Sequence, residues 1–377
     1  MKLYDRYLLS SVIGLVCMGL LMVASASMVV SDRIYGEPFY FLLHQTVFLT
    51  VGILFSWFLF RFSMEQWEKI SAQLLLFSLL LLSVVLVPGL GHSVNGSMRW
   101  IGVGPIGLQV SEFAKLAMII YLASYLVRRH DEVKNRIRGF LKPLLVIGVM
   151  AVLLLKEPDF GAMAVIVVTS LGMLFLAGVR IWQFVFLLVI AALILALLAI
   201  SSPYRVQRLT TFMNPWANPY ASGYQLTQSL IAFGHGGWFG VGLGNSTQKL
   251  FYLPEAHTDF LFAVLAEELG LIGSLFIVGL YCLFVLRSLW VGLCAFRQRQ
   301  YFSSYVAYGI SLFLIIQAII NLGVNIGLLP TKGLTLPLMS YGGSSMLIDC
   351  IAIMLLFRID YETRVYKMGI HREVWNS

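Results

Sequence analysis

Charge is what this chain has least of. Of its 377 residues only 12% are Asp, Glu, Lys or Arg, against 59% hydrophobic. Soluble domains carry about twice that charge, so a soluble globular chain is excluded. Cysteine is nearly as scarce. The four, Cys17, Cys282, Cys294 and Cys350, lie in or beside apolar runs without ligand spacing. They read as small core residues, not as a disulfide set or a metal site. No phosphate-binding glycine loop is visible, which argues against ATP-driven transport by this chain alone. No internal repeat and no soluble domain of any size stand out.

What fills the chain is long apolar runs, which read as transmembrane helices. The start, "MKLYDR" followed by an apolar run and "ASA" at 24–26, imitates a signal peptide. The run exceeds the usual core of about 7–15 residues, so it reads as an uncleaved first span. The expectation is an all-α polytopic membrane protein with about ten spans. They fall at 8–30, 41–60, 70–88, 111–127, 143–155, 160–178, 181–201, 259–286, 303–328 and 341–358. The fifth is short and is followed by "KEPDFG", which suits either an interrupted helix pair around a polar site or a tight helical hairpin.

The net charge of +8 fits basic cytoplasmic loops better than a nucleic-acid partner. Basic residues crowd 128–142, 287–299 and the C-terminal tail, and Lys2 and Arg6 join them by span count. Both termini are therefore expected in the cytoplasm. The 31–40, 89–110, 202–258 and 329–340 connections fall on the other face, with 202–258 the large extracytoplasmic loop of a single domain over 1–377.

Ionisable residues inside spans mark either a site or a structural pair. Glu112 and Lys115, three apart on one helical face, can pair. Glu157 and Asp159 border the sixth span, and Asp349 lies in the tenth. Asp259 opens the eighth, with Glu267 and Glu268 deeper inside it. Asp259 has two readings. With Thr258 it could cap a helix. Alternatively, partly buried at a membrane rim, it could act as a general base. His257 could serve the same end. The flanking loops are basic and aromatic: Arg99–Trp100, Arg205, Arg208, Lys249 and Lys332 could hold phosphates. Trp216, Tyr220, Tyr224 and Trp238 could hold sugars or sit in the interfacial belt. Gly342–Gly343–Ser344–Ser345 could pack closely or offer N–H groups to an anion.

Four segments, "VNGSMRWIGVGPIGLQVSEFAKL", "LKEPDFG", "RLTTFMNPWANPYASGYQLTQSLIAFGHGGWFGVGLGNSTQKLFYLPEAHTDFLFAVLAEELG" and "GLLPTKGLTLPLMSYGGSS", resemble the SEDS family (shape, elongation, division and sporulation) over nearly the whole chain. "PTKGLTLPLMSYGGSS" is more similar to the division branch than to the elongation branch. The resemblance implies a glycosyltransferase that polymerises lipid II at the outer face of the bacterial cytoplasmic membrane, at the division septum. It implies a class B penicillin-binding protein and other divisome membrane proteins as partners. The family's catalytic aspartate falls at Asp259.

The implied reaction inverts the donor's anomeric carbon and releases undecaprenyl pyrophosphate. Asp259 would take the acceptor hydroxyl's proton. Lys332, Arg99 and Arg205, or a divalent cation such as Mg or Mn, would hold the leaving group. No cofactor beyond that is expected. Trp100, His257 and Ser344 join the substrate-binding set, while Glu112, Lys115, Glu157, Asp159, Glu255 and Glu267 support it. Glu255 could position a loop or help bind a metal. The rival readings are a lipid II flippase, which would depend on Glu112, Lys115, Glu267 and Asp349, and a non-catalytic scaffold for the penicillin-binding protein.

Overall fold

The computed structural model of the protein describes residues 4–87, 92–94, 97–103, 106–135, 137–179, 181–200, 211–221 and 223–367. Its helices are α1 (Arg6–Tyr35), α2 (Tyr40–Leu59), α3 (Met64–Lys69), α4 (Ser71–Val85), α5 (Val110–Arg128), α6 (His130–Asn135) and α7 (Ile137–Lys156). Then follow α8 (Phe160–Leu176), α9 (Ile181–Ile200), α10 (Tyr224–Gly236), α11 (Leu261–Arg297), α12 (Tyr301–Asn325) and α13 (Gly343–Lys367). Every predicted span coincides with one of these. Among the described residues, α1, α2, α5, α7, α11 and α12 contain stretches long and apolar enough to cross a membrane.

The polarity of the bundle is inverted relative to a soluble protein. Leu43, Trp57, Leu76, Leu145, Phe186 and Leu275 point outward, whereas Glu112, Lys115, Gln317, Asn321, Asn325 and Asp349 are buried. That is the arrangement a bilayer demands, with apolar side chains toward lipid and polar groups satisfied inside. Cys17 and Cys282 also lie on the outside, so the core placement expected for them is corrected. The central helix is α12, packed on α5, α8, α11 and α13. Where apolar burial no longer drives helix association, close approach matters more. At Gly309 of α12 an added Cβ would stand 2.5 Å from Ile119 and 2.8 Å from Met173, so that contact needs a glycine.

The structure departs from the sequence expectations in four places. The fifth span is not short: α7 has 20 residues and carries Pro143 inside it. "KEPDFG" is therefore the turn of an α7–α8 hairpin. The 89–110 connection is not purely helical or coil among its described residues, against the all-α expectation. It holds three strands, β1 (His92–Val94), β2 (Ser97–Val103) and β3 (Ile106–Gln109), in an antiparallel sheet of order β1-β2-β3. The fold is otherwise helical.

The 329–340 connection is not confined to the rim. It descends into the bundle until Met339 meets the middle of α1, where a Cβ on Gly19 would stand 2.6 Å from its backbone. Irregular backbone at that depth needs polar partners. Asn321 and Gln317 of α12 donate to the carbonyls of Leu334 (2.6 Å) and Thr335 (3.1 Å). The Tyr281 hydroxyl of α11 donates to that of Pro337 at 2.5 Å. Asp349 of α13 accepts the Leu338 N–H at 3.1 Å, and Gln45 of α2 serves Ser340 and Gly342.

Finally, α11 is broken at Gly270 (φ 67, ψ −165). The loop after α10 fills the break. Val241 and Gly242 donate to the carbonyls of Glu267 and Glu268 at 3.0 and 3.1 Å. Leu271 and Ile272 donate to those of Gly237 and Trp238 at 2.9 and 3.2 Å. The arm 271–297 is about 40 Å long and could cross a bilayer unaided. Glu267 and Glu268 thus sit in the short arm before the break, not deep in the span as expected.

Candidate active site

Asp259 closes a run of turns just before α11. It does not cap that helix. The residue preceding the helix is Phe260, whose side chain makes no cap bond. The cap comes from elsewhere: Asn325 Oδ1 accepts the Ala263 N–H at 3.1 Å. Asn325 Nδ2 and Asn321 Nδ2 donate to the Asp259 carbonyl at 3.0 and 2.9 Å. These amides, four apart on one face of α12, fix the backbone of Asp259 and relieve its carboxyl of capping duty. The carboxyl is half-buried, and its Oδ2 lies 3.1 Å from where a Cβ on Gly333 would stand.

A contiguous row of charges runs from that point. Next to Gly333, Lys332 places Nζ 4.2 Å from the Phe160 ring centroid. Phe160 opens α8 beside Asp159. Asp159 caps α8 through the Ala162 N–H at 3.1 Å and accepts the Ser111 hydroxyl at 3.0 Å. Arg99 of β2 lies 3.8 Å from Asp159 and donates to the Pro158 carbonyl at 3.0 Å. Asp259, Lys332, Asp159 and Arg99 therefore share one edge of the bundle. Two cations there can hold phosphate oxygens while a carboxylate accepts a proton beside them.

Glu157 lies behind this row, in the α7–α8 turn. It is fully buried, and both its carboxyl oxygens are without hydrogen-bond partners among the described residues. Its pKa is pushed up to about 8, chiefly by burial and next by Asp159, with Arg99 opposing.

Other expected site residues have different duties. Ser344 is buried, accepts the Gln109 N–H at 2.9 Å and donates to the Gly107 carbonyl at 3.0 Å. It fastens β3 to α13, which corrects the substrate-binding expectation. Trp100 packs against Gly107, where a Cβ would come within 3.0 Å of its ring. The His257 ring packs on Phe41 and Tyr341, with centroids at 4.4 and 5.7 Å, and burial lowers its pKa, so it stays neutral. Glu255 is exposed and accepts the Thr258 hydroxyl at 2.7 Å. Arg205 and Arg208 lie outside the described residues.

Lys249 is withdrawn from any phosphate role. It is buried and donates to Glu268 at 2.7 Å, with Ser25 bonded to both. Glu267 accepts bonds from Ser246, Thr247 and Gln248, and from His235 at 2.8 Å, so it pins the 246–248 loop. Glu112 and Lys115 pair at 2.8 Å as expected, and Lys115 also donates to Gln317 at 2.7 Å. Asn321, Asn325, Gln317, Gln109 and Ser111 were missed by sequence reasoning. Amides recurring every four residues in the apolar α12 were the available signal.

Among the described residues, no three His, Cys, Asp or Glu side chains gather as a metal cage. A hard cation bridging one carboxylate and substrate phosphates needs no such cage, so the Asp259 edge remains compatible with one.

The chain belongs to the cell cycle protein family of FtsW, RodA and SpoVE, whose model matches residues 6–365. It is 56% identical over 369 residues to the probable peptidoglycan glycosyltransferase FtsW of Legionella pneumophila, covering 98% of this chain and 94% of that one. It is 57% identical over 360 residues to that of Coxiella burnetii, covering 96% and 97%. Its fold matches a chain solved in a study of polymerization and crosslinking by a peptidoglycan synthase complex (TM-score 0.80, 30% identity, covering 96% and 98%). It also matches the rod shape determining protein RodA of Thermus thermophilus (TM-score 0.71, 27% identity, covering 95% and 96%).

Proposed function

We infer that this multi-pass membrane protein is a peptidoglycan glycosyltransferase that polymerises lipid II, with Asp259 as its general base. Relatives above half identity are named probable peptidoglycan glycosyltransferases. The observation that carries the assignment of the base is the placement of its half-buried carboxyl on the same edge as Lys332 and Arg99, on a backbone held by Asn321 and Asn325.

In the reaction, the acceptor's sugar hydroxyl gives its proton to the Asp259 carboxylate. Its oxygen bonds to the anomeric carbon of the donor. The bond from that carbon to the pyrophosphate breaks, and its electron pair leaves with undecaprenyl pyrophosphate. Lys332 and Arg99 hold the departing charge, and Arg205 belongs to the same set by its loop. Attack and departure on opposite faces invert the centre. No carboxylic acid has to protonate the leaving group, unlike a glycosidase. A Mg or Mn ion bound with the substrate would add positive charge at the pyrophosphate.

The partner is a class B penicillin-binding protein, supported by the synthase-complex neighbour. The basic loops favour cytoplasmic termini and, with them, an extracytoplasmic Asp259 edge. The division-type relatives favour the septum and other divisome proteins. The test is purified protein with its class B partner, lipid II and moenomycin to silence transferases of the other class, with and without EDTA. Glycan strands support the reading. Lipid II moved across vesicles without strands indicates a flippase, and neither outcome indicates a scaffold.

A further inference from the structure

Glu157 is a buried ionisable group beside the site that the proposed reaction leaves unused, and among the described residues both its carboxyl oxygens are without hydrogen-bond partners. Its neighbours define its situation. Asp159, two residues on, is engaged by Ala162, Ser111 and Arg99. Arg99 is fixed to the carbonyl of Pro158, between the two acids in sequence, and its side chain remains 25% exposed. On α5 the nearest charges, Glu112 and Lys115, satisfy each other. Lys156 is exposed, Lys332 lies over Phe160, and α4 brings no charge to α7. Arg99 and Asp159 are thus the charges that act on Glu157.

A carboxyl sealed from water, with no hydrogen-bond donor among the described residues, cannot hold a negative charge stably beside a second carboxylate. As a neutral acid it leaves Arg99 at the mouth of the site, held by Asp159 alone of these two acids. As an anion it would add a second buried attraction to that of Asp159 and draw the guanidinium inward. We propose that Glu157 is a positioning residue that works as a neutral carboxylic acid, and that loss of its proton retracts Arg99 from the pyrophosphate of the substrate. The group's raised pKa of about 8 places that loss just above neutral pH.

The activity arm rests on the glycosyltransferase reading, but the spectroscopic arm does not. Wild type and Glu157→Gln are compared, each with the class B partner, between pH 6 and 9.5. In wild type the KM for lipid II should climb above pH 8, approaching about tenfold per pH unit. In Glu157→Gln that climb should vanish, with the kcat profile unchanged in shape. Infrared spectra of the wild type at neutral pH should hold a protonated-acid carbonyl band that titrates near pH 8 and is missing from Glu157→Gln. A Gln variant that follows the wild-type alkaline curve would overturn the proposal. So would identical infrared spectra. If the wild type makes no glycan, the glycosyltransferase reading fails and the infrared arm alone decides the charge state.

Discussion

Asn325 performs at the start of α11 the task that its sequence offers to Asp259. One amide group takes the Ala263 N–H at 3.1 Å and holds the Asp259 carbonyl at 3.0 Å. The cap of α11 is borrowed from another helix, and the same amide fixes the backbone that carries the Asp259 carboxylate.

Removing that amide should therefore damage stability and activity together. Asn325→Ala takes one of two partners from the Ala263 N–H and one of two from the Asp259 carbonyl, at a cost of about 0.5–2 kcal/mol. Polymerisation should fall by about 10–100-fold, since catalysis is sensitive to small misplacements. Melting curves and lipid II assays on Asn325→Ala and Asn325→Asp check this. The Asp variant keeps a cap oxygen but loses the donor to Asp259, so it should recover stability more than rate.

The Lys249–Glu268 pair predicts a non-additive result. Both partners are buried, so Lys249→Met strands a carboxylate and should destabilise by about 3–5 kcal/mol. The double variant Lys249→Met/Glu268→Gln should recover most of that loss. A double-mutant cycle measured by melting in nanodiscs reads the coupling directly.

Two glycines should behave oppositely. A Cβ at Gly270 would stand 2.4 Å from the Gly240 nitrogen, in a backbone conformation with φ 67. Gly270→Ala should abolish folding. At Gly148 in α7 nothing lies within 4 Å, and Gly148→Ala should fold normally. Size-exclusion profiles of the two purified variants settle the comparison.

Glu157 also makes the folded state pH-sensitive. Its folded pKa, about 8, is above the ordinary 4.5, so between these values the folded chain binds a proton that the unfolded chain does not. Stability is unaffected below that window, declines as pH rises through it, and is lowest above it. The loss is on the order of 4 kcal/mol. Glu157→Gln removes the penalty. Its melting temperature should exceed that of the wild type at pH 8 by more than at pH 5.

The spans were legible because lipid imposes long apolar runs, and Asp259 stood out as a candidate because it lies where a polar loop meets such a run. The rest depended on contacts between distant residues. Nothing local to Leu334–Met339 announces that Gln45, Tyr281, Gln317, Asn321 and Asp349 satisfy its backbone. The reading of Ser344 failed for the same reason, since its partners lie in β3. The strands escaped notice because β2 pairs with two short neighbours and shows no alternating pattern.

The central claim concerns a single proton acceptor. The most direct measurement is the rate of lipid II polymerisation by Asp259→Asn and wild type, each purified with its class B partner and shown by melting to be folded. The account predicts strands from wild type and none from the variant, a loss of at least about a thousandfold. Equal rates from a folded Asp259→Asn would contradict it and leave the position with no role in proton transfer.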